Sequence, residues 1–362
     1  MAEQTSTPNE APAGHGLDVA ALERWLGANL EGFAGPLTIE KFPGGQSNPT
    51  YRLQTPARQY VMRAKPGPVA KLLPSAHAIE REFRVMRGLE HTAVPVAHMH
   101  VLCEDESVVG RAFYVMEHVQ GRVLWEQSLP GMAPEQRRAH YLEMNRVLAE
   151  LHKVDVAAAG LSDYGRPGNY FERQIGRWSK QYVASITQPI PEMDRLIEWL
   201  PGHMPAMAQD SALVSVVHGD YRLDNLMFHP NEPRVLAVLD WELSTLGHPL
   251  ADFSYHCMSW HIPPGMFRGI AGLDLAELGI PSEEEYIALY CQQVGWVSPE
   301  QLMADWNFYL AYNMFRLAAI LQGIAKRVED GTASSAQARQ SGAGAKPMAE
   351  LAWHFAQRAG AR

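Results

Sequence analysis

One short stretch of the chain has the residue types and the spacing that phosphoryl transfer from Mg-ATP requires. His218, Asp220 and Asn225 lie in HGDYRLDNLMF, and Asp240 ends the apolar run VLAVLD that follows after a turn. In this chemistry an acidic group meets the attacking hydroxyl, while an amide and a second carboxylate hold the metal against the phosphates. We therefore predict Asp220 as catalytic base or hydroxyl positioner, and Asn225 and Asp240 as Mg²⁺ ligands.

Neighbouring residues have supporting or alternative interpretations. His218 belongs to the catalytic motif, but we expect its imidazole mainly to brace the loop by hydrogen bonds. Asp224 is expected to be a solvated loop residue, and Glu242 either supports the metal site or caps the next segment. Asp252 in HPLADFSY is predicted to brace the catalytic loop from the start of a helix. Asp240, at the tip of a buried strand, needs a metal or another partner to offset its lost hydration.

The N-terminal region offers a cation and a carboxylate that could complete a nucleotide site. Arg63 and Lys65 in VMRAK lie on one face of a predicted strand, and either could contact the α- and β-phosphates. In the predicted helix 75–89, Glu82 lies nearer the apolar face than Glu80 does, so Glu82 is the preferred partner of that cation.

Two loops of the same region could approach the nucleotide. The turn PGGQSNP contains Gly45 and Ser47, where backbone N–H groups could approach the β- and γ-phosphates, although it lacks the GK[ST] of a Walker A loop. The run FYVMEHVQG is predicted to be an edge strand that leads into a linker, where the Glu117 carbonyl and the Val119 N–H could bind adenine. The alternatives are a Gly-rich hairpin without a ligand and an ordinary strand exit.

The rest of the sequence predicts a plan that would position these residues. Residues 17–119 combine two helices with short strands, three of them in a β-meander, and are predicted to form a β-rich N-lobe. Residues 120–362 are predicted to form a helical C-lobe, interrupted by the hairpin at 216–241. Residues 1–16 are expected to be a disordered leader, and 331–346 a loop of small residues. Helical periodicity covers four C-lobe segments: 134–152, 170–207, 282–329 and 347–358. We therefore predict an α+β fold with the two-lobed, protein-kinase-like plan.

Composition and charge limit the classes of function. With 46% hydrophobic and 20% charged residues the chain is an ordinary globular protein, and no apolar run approaches the ~20 residues of a membrane span. The formal net charge of −9 argues against a general nucleic-acid surface, which needs a basic footprint. The three cysteines form no CxxC pair and the N-terminus lacks a secretory signal, so we expect a cytoplasmic protein without membrane or nucleic-acid partners.

These motifs resemble the aminoglycoside phosphotransferase and choline kinase superfamily over roughly residues 35–330. In particular, GGQSNPTY, KLLPSAHAIEREFRVM, HGDYRLDNLMF, VLDWELSTLGHPLADF and FRLAAILQG resemble the kinase-like domain of the acyl-CoA dehydrogenase family 10 and 11 proteins. The resemblance implies ATP and Mg²⁺ as cofactors. It also implies these roles: Asp220 as base, Asn225 and Asp240 as Mg²⁺ ligands, Ser47 in the phosphate loop, Glu82 as partner of the strand cation, and Glu117 with Val119 at the adenine.

The sequence departs from that superfamily at Arg63, where the superfamily usually has Lys. Arginine can clamp a phosphate with two hydrogen bonds but is not a simple substitute for lysine. The departure leaves open whether Arg63 or Lys65 contacts the phosphates.

The phosphate acceptor is the least specified part of the prediction. Acceptor sites in such folds lie in the helical lobe, and the candidate substrate residues are Arg173, Arg177, Trp260 and Arg316. Cations among aromatic side chains suit an anionic or apolar acceptor better than a polyamine, although such aromatics also commonly form helix-packing core. The resemblance points to a hydroxyacyl group, such as a CoA thioester.

Three functions remain open at this point. We favour a Mg-ATP-dependent small-molecule kinase that acts on a hydroxyl. The alternatives are an aminoglycoside or amino-alcohol kinase, and a catalytically silent pseudokinase that uses its site for ligand recognition.

Overall fold

The structure is a computed structural model that describes residues 16–42, 48–66, 78–333 and 336–362. The described residues form two compact units. The N-terminal unit extends to Arg87 and also includes Ala97–Val119, and the C-terminal unit comprises Gly88–Val96 and Gln120–Arg362. The segment 88–96 thus groups with the C-terminal unit, whereas the sequence-based division assigned it to the N-lobe.

An antiparallel five-stranded sheet dominates the N-terminal unit, with the strand order β1-β2-β3-β5-β4. Its elements are α1 (Val19–Asn29), β1 (Thr38–Lys41), β2 (Thr50–Gln54), β3 (Gln59–Ala64), α2 (Ile79–Leu89), β4 (Met99–Cys103) and β5 (Phe113–Glu117). The first three strands form the predicted meander. The prediction that β5 is an edge strand is wrong, because β5 lies between β3 and β4. Its consecutive buried residues Phe113, Tyr114 and Val115 are typical of an interior strand covered on both faces.

The helix α1 covers one face of this sheet. Asp18 caps it, since its Oδ1 accepts the N–H of Ala21 at 2.9 Å. Leu22 and Leu26, four residues apart, are fully buried in one core cluster with side chains of the sheet such as Leu53.

The C-terminal unit is mostly helical. Its helices are α3 (Pro134–His152), α4 (Tyr170–Ala184), α5 (Pro191–Trp199), α6 (Pro249–Cys257), α7 (Leu275–Leu278), α8 (Glu283–Val294), α9 (Pro299–Ala304), α10 (Trp306–Glu329), α11 (Ala336–Ala343) and α12 (Ala345–Arg358). The central helix is α10, which packs against α4, α6, α11 and α12. Most of its side chains are buried, so it forms the middle of the unit. Among the described residues, no helix is both long and apolar enough to cross a lipid bilayer.

The prediction of a loop over 331–346 is wrong in part, because this segment contains α11. A Cβ at Gly342 would lie only 2.9 Å from the Cα of Ala325 in α10. The small residues therefore allow α10 and α11 to approach closely. Because α11 has few large apolar side chains, hydrophobic periodicity did not predict it.

The predicted chemical motif lies among five short strands. They are β6 (Arg122–Val123), β7 (Ser215–Val217), β8 (Leu226–Phe228), β9 (Val235–Val238) and β10 (Thr245–Gly247). The hairpin is β8–β9, with Leu226 opposite Val238, and β6 pairs with β8. The strand β7 pairs separately with β10, so the hairpin is shorter than predicted. The residue before β8 and the residues after β9 consequently lie side by side: the N–H of Leu239 donates to the carbonyl of Asn225 at 2.8 Å.

Candidate active site

The loop between β7 and β8, residues 218–225, carries the predicted base Asp220 and is called the catalytic loop below. The ring of His218 holds this loop in place. This side chain is fully buried. Its Nε2 lies 2.8 Å from the carbonyl oxygen of Leu239, and its Nδ1 lies 3.2 Å from the backbone nitrogen of Asp220. Because a carbonyl only accepts and a backbone N–H only donates, the ring is the neutral tautomer protonated on Nε2. Both ring nitrogens therefore bind backbone atoms, and the ring holds the loop in place as predicted.

A second anchor of the loop is Asp252 in the first turn of α6. Its carboxylate is 1% exposed and accepts the backbone N–H groups of His218 and Gly219, the latter at 2.8 Å. His152 Nε2 lies 3.7 Å from the same carboxylate. Burial alone would raise the pKa of Asp252, but the neighbouring His152 and the N–H of Gly219 hold it below the ordinary carboxyl value. Asp252 is therefore an ionised structural anchor.

The conformation between these anchors requires glycine at position 219. Its φ is +84°, and a Cβ there would lie 2.9 Å from the carbonyl oxygen of Leu243. The carbonyl of Gly219 accepts a hydrogen bond from Arg316 Nη2 at 2.6 Å. The Arg316 guanidinium is buried and lies over the rings of Trp178 and Tyr255, at 5.7 and 5.1 Å. Arg316, a predicted substrate residue, thus holds the loop backbone.

The carboxylate of Asp220 is held by two hydrogen bonds and one ion pair. Tyr255 donates its hydroxyl to Oδ1 at 2.6 Å, while Oδ2 meets Asn225 Nδ2 at 3.0 Å and Arg222 Nη2 at 3.2 Å. An ionised carboxylate has about four acceptor positions, so one position on Oδ1 is left after these three. The side chain is 17% exposed. The geometry can therefore offer an oriented acceptor to a substrate hydroxyl.

Tyr255 is suited to remain the donor in this arrangement. Burial raises the pKa of its hydroxyl well above the ordinary value, and the adjacent Asp220 carboxylate raises it further. Sequence reasoning did not single out Tyr255. Its position three residues after Asp252, which places both on neighbouring turns of α6, was the available signal.

Asn225 and Asp240 lie at the adjoining ends of β8 and β9. The Nδ2 of Asn225 donates to the carbonyl and to Oδ2 of Asp220, at 2.8 and 3.0 Å. Since both partners can only accept, the amide orientation is determined, and its Oδ1 makes no hydrogen bond among the described residues. Asp240 has φ 62° and ψ 64°, a left-handed conformation that costs about 1–3 kcal/mol outside glycine and clusters at functional sites.

An amide oxygen and a carboxylate fit a hard divalent ion. Mg²⁺ is usually held by one or two protein oxygens, with waters and phosphate oxygens completing its octahedron. Within the described parts of the chain, no group of three or more His, Cys, Asp or Glu side chains could hold a metal ion. Asn225 and Asp240 form a smaller donor set, of the kind that a metal also held by nucleotide phosphates would need.

The expectation that Asp224 is a solvated loop residue is wrong. Its side chain is 3% exposed and lies between two guanidinium groups, with Arg222 Nε 3.4 Å from Oδ1 and Arg268 Nη2 2.9 Å from Oδ2. Burial raises the pKa of Asp224, and the two arginines oppose that rise. Arg222 and Arg268 were also missed. Arg268 comes from a distant loop, so no local spacing could have indicated it.

In the N-terminal unit, the structure brings Arg63 and Glu82 together. Arg63 Nε on β3 lies 3.0 Å from Glu82 Oε2 on α2. Glu82 is 2% exposed, and it also accepts hydrogen bonds from Asn48 Nδ2 at 2.7 Å and from the Tyr114 hydroxyl at 3.1 Å. Glu82 is thus the better-buried partner, as the helical geometry predicted. The contact of Arg63 with phosphates remains a prediction.

The second candidate cation forms a separate, more exposed pair. Lys65 Nζ lies 3.2 Å from Glu80 Oε2, with side chains 31% and 40% exposed. The two cations therefore have different partners, and the Arg63 pair is the less exposed of the two. Gly45 and Ser47, predicted in the phosphate loop, lie outside the described residues.

The predicted adenine contacts lie at the end of β5. Glu117 is the last residue of the strand, and its N–H donates to the carbonyl of His98 at 2.8 Å. Its carbonyl and the N–H of Val119, the last residue of the N-terminal unit, remain predicted adenine contacts.

The remaining candidate substrate residues divide into two groups. Trp260 packs against Tyr141 and Tyr286 in the helical core, and its Nε1 donates to the carbonyl of Pro281 at 3.0 Å, so the structure gives no support for a substrate role. Arg173 and Arg177 instead line a surface cavity of about 890 Å³ along α4.

This cavity has a basic lining and a connection to the catalytic loop. Arg166 and Lys180 line it together with Arg173, Arg177 and one acidic residue, Glu172. The Arg177 guanidinium lies 5.3 Å from the centre of the Trp178 ring, and that ring also contacts Arg316, which binds the loop carbonyl.

Comparison with known proteins identifies the family. The profile of the phosphotransferase enzyme family (APH) matches residues 38–287. Acyl-CoA dehydrogenase family member 10 of Mus musculus is 49% identical over 345 residues, which are 94% of this chain and 31% of that protein. Acyl-CoA dehydrogenase family member 11 of Homo sapiens is 40% identical over 348 residues, 95% of this chain and 44% of that protein. The chain thus spans less than half the length of these curated relatives.

Solved structures agree with this assignment. A Ralstonia eutropha JMP134 protein provisionally named an aminoglycoside phosphotransferase is 63% identical, with a TM-score of 0.87 over 94% of this chain and 99% of that one. Choline kinase from Cryptosporidium parvum, at 12% identity and a TM-score of 0.63 over 94% and 95% of the two chains, shares the fold alone. The predicted α+β, kinase-like fold is therefore confirmed, and the chain belongs to the phosphotransferase enzyme family (APH).

Proposed function

We propose that this phosphotransferase moves the γ-phosphoryl group of ATP to the hydroxyl of an anionic small molecule, a hydroxyacyl compound such as a CoA thioester. The observation that carries the proposal is the Asp220 carboxylate. It is held by Tyr255, Asn225 and Arg222, yet retains an acceptor position on Oδ1 and partial exposure. An acceptor hydroxyl that donates to this oxygen would be oriented for in-line attack on the phosphorus.

The same loop supports a role for Mg²⁺. Asn225 Oδ1 and the Asp240 carboxylate would hold the ion, which would neutralise charge on the nucleotide phosphates. Asn225 then has two functions, because its Nδ2 orients the Asp220 carboxylate while its oxygen serves the metal.

Arg63 is the proposed phosphate-contacting cation of the N-terminal unit. Hydrogen bonds from Asn48 and Tyr114 hold the Glu82 carboxylate in place, and this carboxylate orients the Arg63 guanidinium. A planar guanidinium with a fixed orientation can bind phosphate oxygens through parallel N–H groups. Lys65 is the weaker candidate, since its ion pair is more exposed.

The basic cavity supports an anionic acceptor. Four cationic side chains and one carboxylate line it, and an aminoglycoside or amino-alcohol would need the opposite balance of charge. The Trp178–Arg316 contact links this cavity to the loop that carries Asp220. We therefore propose that the anionic group of the acceptor binds in this cavity while its hydroxyl reaches that loop. The organised Asp220 carboxylate also favours catalysis over a silent pseudokinase.

The first prediction concerns the acceptor. ADP release from Mg-ATP should rise with hydroxyacyl-CoAs or free hydroxy acids, and not with amino alcohols or aminoglycosides, because the cavity attracts anions. Reversing one charge with Arg177→Glu should raise KM for the anionic acceptor about tenfold or more, equivalent to ~1.4 kcal/mol, while KM for ATP stays constant. Steady-state kinetics with a coupled ADP assay measures both values.

Arg24→Glu is the matched control, because Arg24 is exposed on α1 in the other unit. It should leave both KM values unchanged. Preference for amines would overturn the acceptor class, and nucleotide binding without turnover of any acceptor would favour the pseudokinase.

The second prediction concerns the metal. Asp240→Asn should weaken Mg²⁺-dependent ATP binding about 10–100-fold, since it removes the charged member of the donor pair. Calorimetric titration of ATP with Mg²⁺ and with EDTA measures the metal-dependent part of the affinity. Glu232→Gln is the control, because Glu232 is exposed in the turn of the same β8–β9 hairpin. Equal Mg²⁺ dependence in the Asp240 variant and the wild type would exclude Asp240 as a ligand.

A further inference from the structure

The segment Met266–Arg268 has a backbone that its residue types disfavour. Phe267 and Arg268 have φ values of 33° and 58°, and consecutive non-glycine residues at positive φ are unusual. The turn is closed by hydrogen bonds from the Met266 N–H to the Pro263 carbonyl at 3.2 Å and from the Gly269 N–H to the Met266 carbonyl at 3.1 Å. Such strain persists only where the surroundings impose it, and it concentrates at ligand-binding sites.

The Arg268 side chain of this segment is held by the catalytic loop and by Trp125. Arg268 Nη2 lies 2.9 Å from the buried Asp224 carboxylate, and Arg268 Nη1 donates to the carbonyl of Trp125 at 3.0 Å. The guanidinium also lies 5.5 Å from the centre of the Trp125 ring. Asp224 is four residues from Asp220, so the ion pair fixes the distant segment against the catalytic loop.

The result is an aromatic ring placed beside the catalytic carboxylate. The half-buried Phe267 ring lies 6.2 Å from the Tyr255 ring, and 5.9 Å from the Arg222 guanidinium carbon. Tyr255 and Arg222 bind the two different oxygens of Asp220. Phe267 therefore packs on two of the three groups that hold the Asp220 carboxylate, Tyr255 and Arg222.

We propose that Phe267 is a specificity-determining residue: its ring forms an apolar wall against the carbon chain next to the acceptor hydroxyl. Arg268 and Asp224 act as positioning residues that hold this wall. A carbon chain next to the hydroxyl gains contact with the ring, whereas a sugar or amino alcohol would place polar groups against it. This inference rests on the proposed function, because it assumes that Asp220 receives an acceptor hydroxyl.

The test compares acceptors rather than overall activity. Phe267→Ala should lower kcat/KM for straight-chain hydroxyacyl acceptors about tenfold, mostly through KM, because an apolar contact of this size is lost. Acceptors branched beside the hydroxyl should lose less, since the smaller side chain admits them. KM for ATP should not change, and Phe267→Leu should recover most of the efficiency.

Positioning variants give the independent readout. Arg268→Ala should reproduce the altered acceptor preference of Phe267→Ala, and Arg268→Lys should partly restore it, whereas Met303→Ala, on the exposed side of α9, should have no effect. An unchanged acceptor profile in active Phe267→Ala would overturn the inference, as would an equal fall in turnover for all acceptors.

Calorimetry separates failure of this inference from failure of the proposed function. If the wild type binds hydroxyacyl compounds without turnover and Phe267→Ala loses that binding, the role of Phe267 in acceptor binding is supported and the proposed catalysis is rejected. If ATP binds but no hydroxylated compound binds, both the role of Phe267 and the proposed function are rejected.

Discussion

Asp220→Ala is expected to lower kcat about 10²–10⁴-fold, the usual contribution of a positioned general base. The variant removes the oxygen that retains an acceptor position, so the substrate hydroxyl loses its orientation. ATP affinity should be unchanged, because Asp220 is not among the proposed metal ligands. Single-turnover phosphoryl transfer and calorimetric ATP titration measure the two quantities separately.

The controls for Asp220 test its chemistry against its structural contacts. Asp220→Asn retains an oxygen for the Tyr255 hydroxyl but lacks the charge, so it should be nearly as inactive as the alanine variant. Asp194→Ala, at an exposed position in α5, should behave like the wild type. Near-normal turnover in Asp220→Asn would remove the proposed mechanism, because the carboxylate charge would then be dispensable.

Asp252→Ala is expected to lower the free energy of unfolding by about 2–5 kcal/mol at pH 7. The variant leaves the buried N–H groups of His218 and Gly219 without an acceptor, and each unsatisfied buried donor costs about 1–3 kcal/mol. Urea unfolding followed by circular dichroism measures the difference. Activity should fall as well, because these two N–H groups anchor the loop that carries Asp220.

The stabilisation by Asp252 has a defined pH dependence. Because the folded-state pKa of this carboxyl is lowered, its contribution is complete above the ordinary carboxyl pKa. It is lost as the pH falls towards the lower folded value. The stability difference between the wild type and Asp252→Asn should therefore be largest near neutral pH and shrink on acidification through the carboxyl range. A difference that grows on acidification would contradict this assignment, and the exposed control Asp194→Asn should show little difference at any pH.

Local sequence patterns predicted the elements that carry the chemistry. The helix over 134–152 coincides with α3, and the order of Asp220, Asn225 and Asp240 placed the motif at a hairpin. These predictions succeeded because periodicity, Pro134 at a helix start and motif spacing are all short-range signals.

Long-range packing decided what the sequence could not indicate. Asp224 was expected in solvent, but Arg268, more than forty residues later, buries it in an ion pair. Tyr255 likewise reaches Asp220 only because α6 packs beside the loop. The misplacement of β5 has the same cause, since strand order within a sheet is not encoded by any one strand.

The arrangement on α6 separates reactivity from recognition. Asp252 accepts hydrogen bonds from the loop backbone and Tyr255 donates to Asp220, so one helix positions the proposed base. The proposed Phe267 wall lies outside this helix, on a segment whose Arg268 pairs with Asp224. Substitutions in that segment are expected to change which alcohol fits while the Asp220 carboxylate stays in place. Evolution could therefore change the acceptor preference in small steps, while the residues proposed for phosphoryl transfer stay the same.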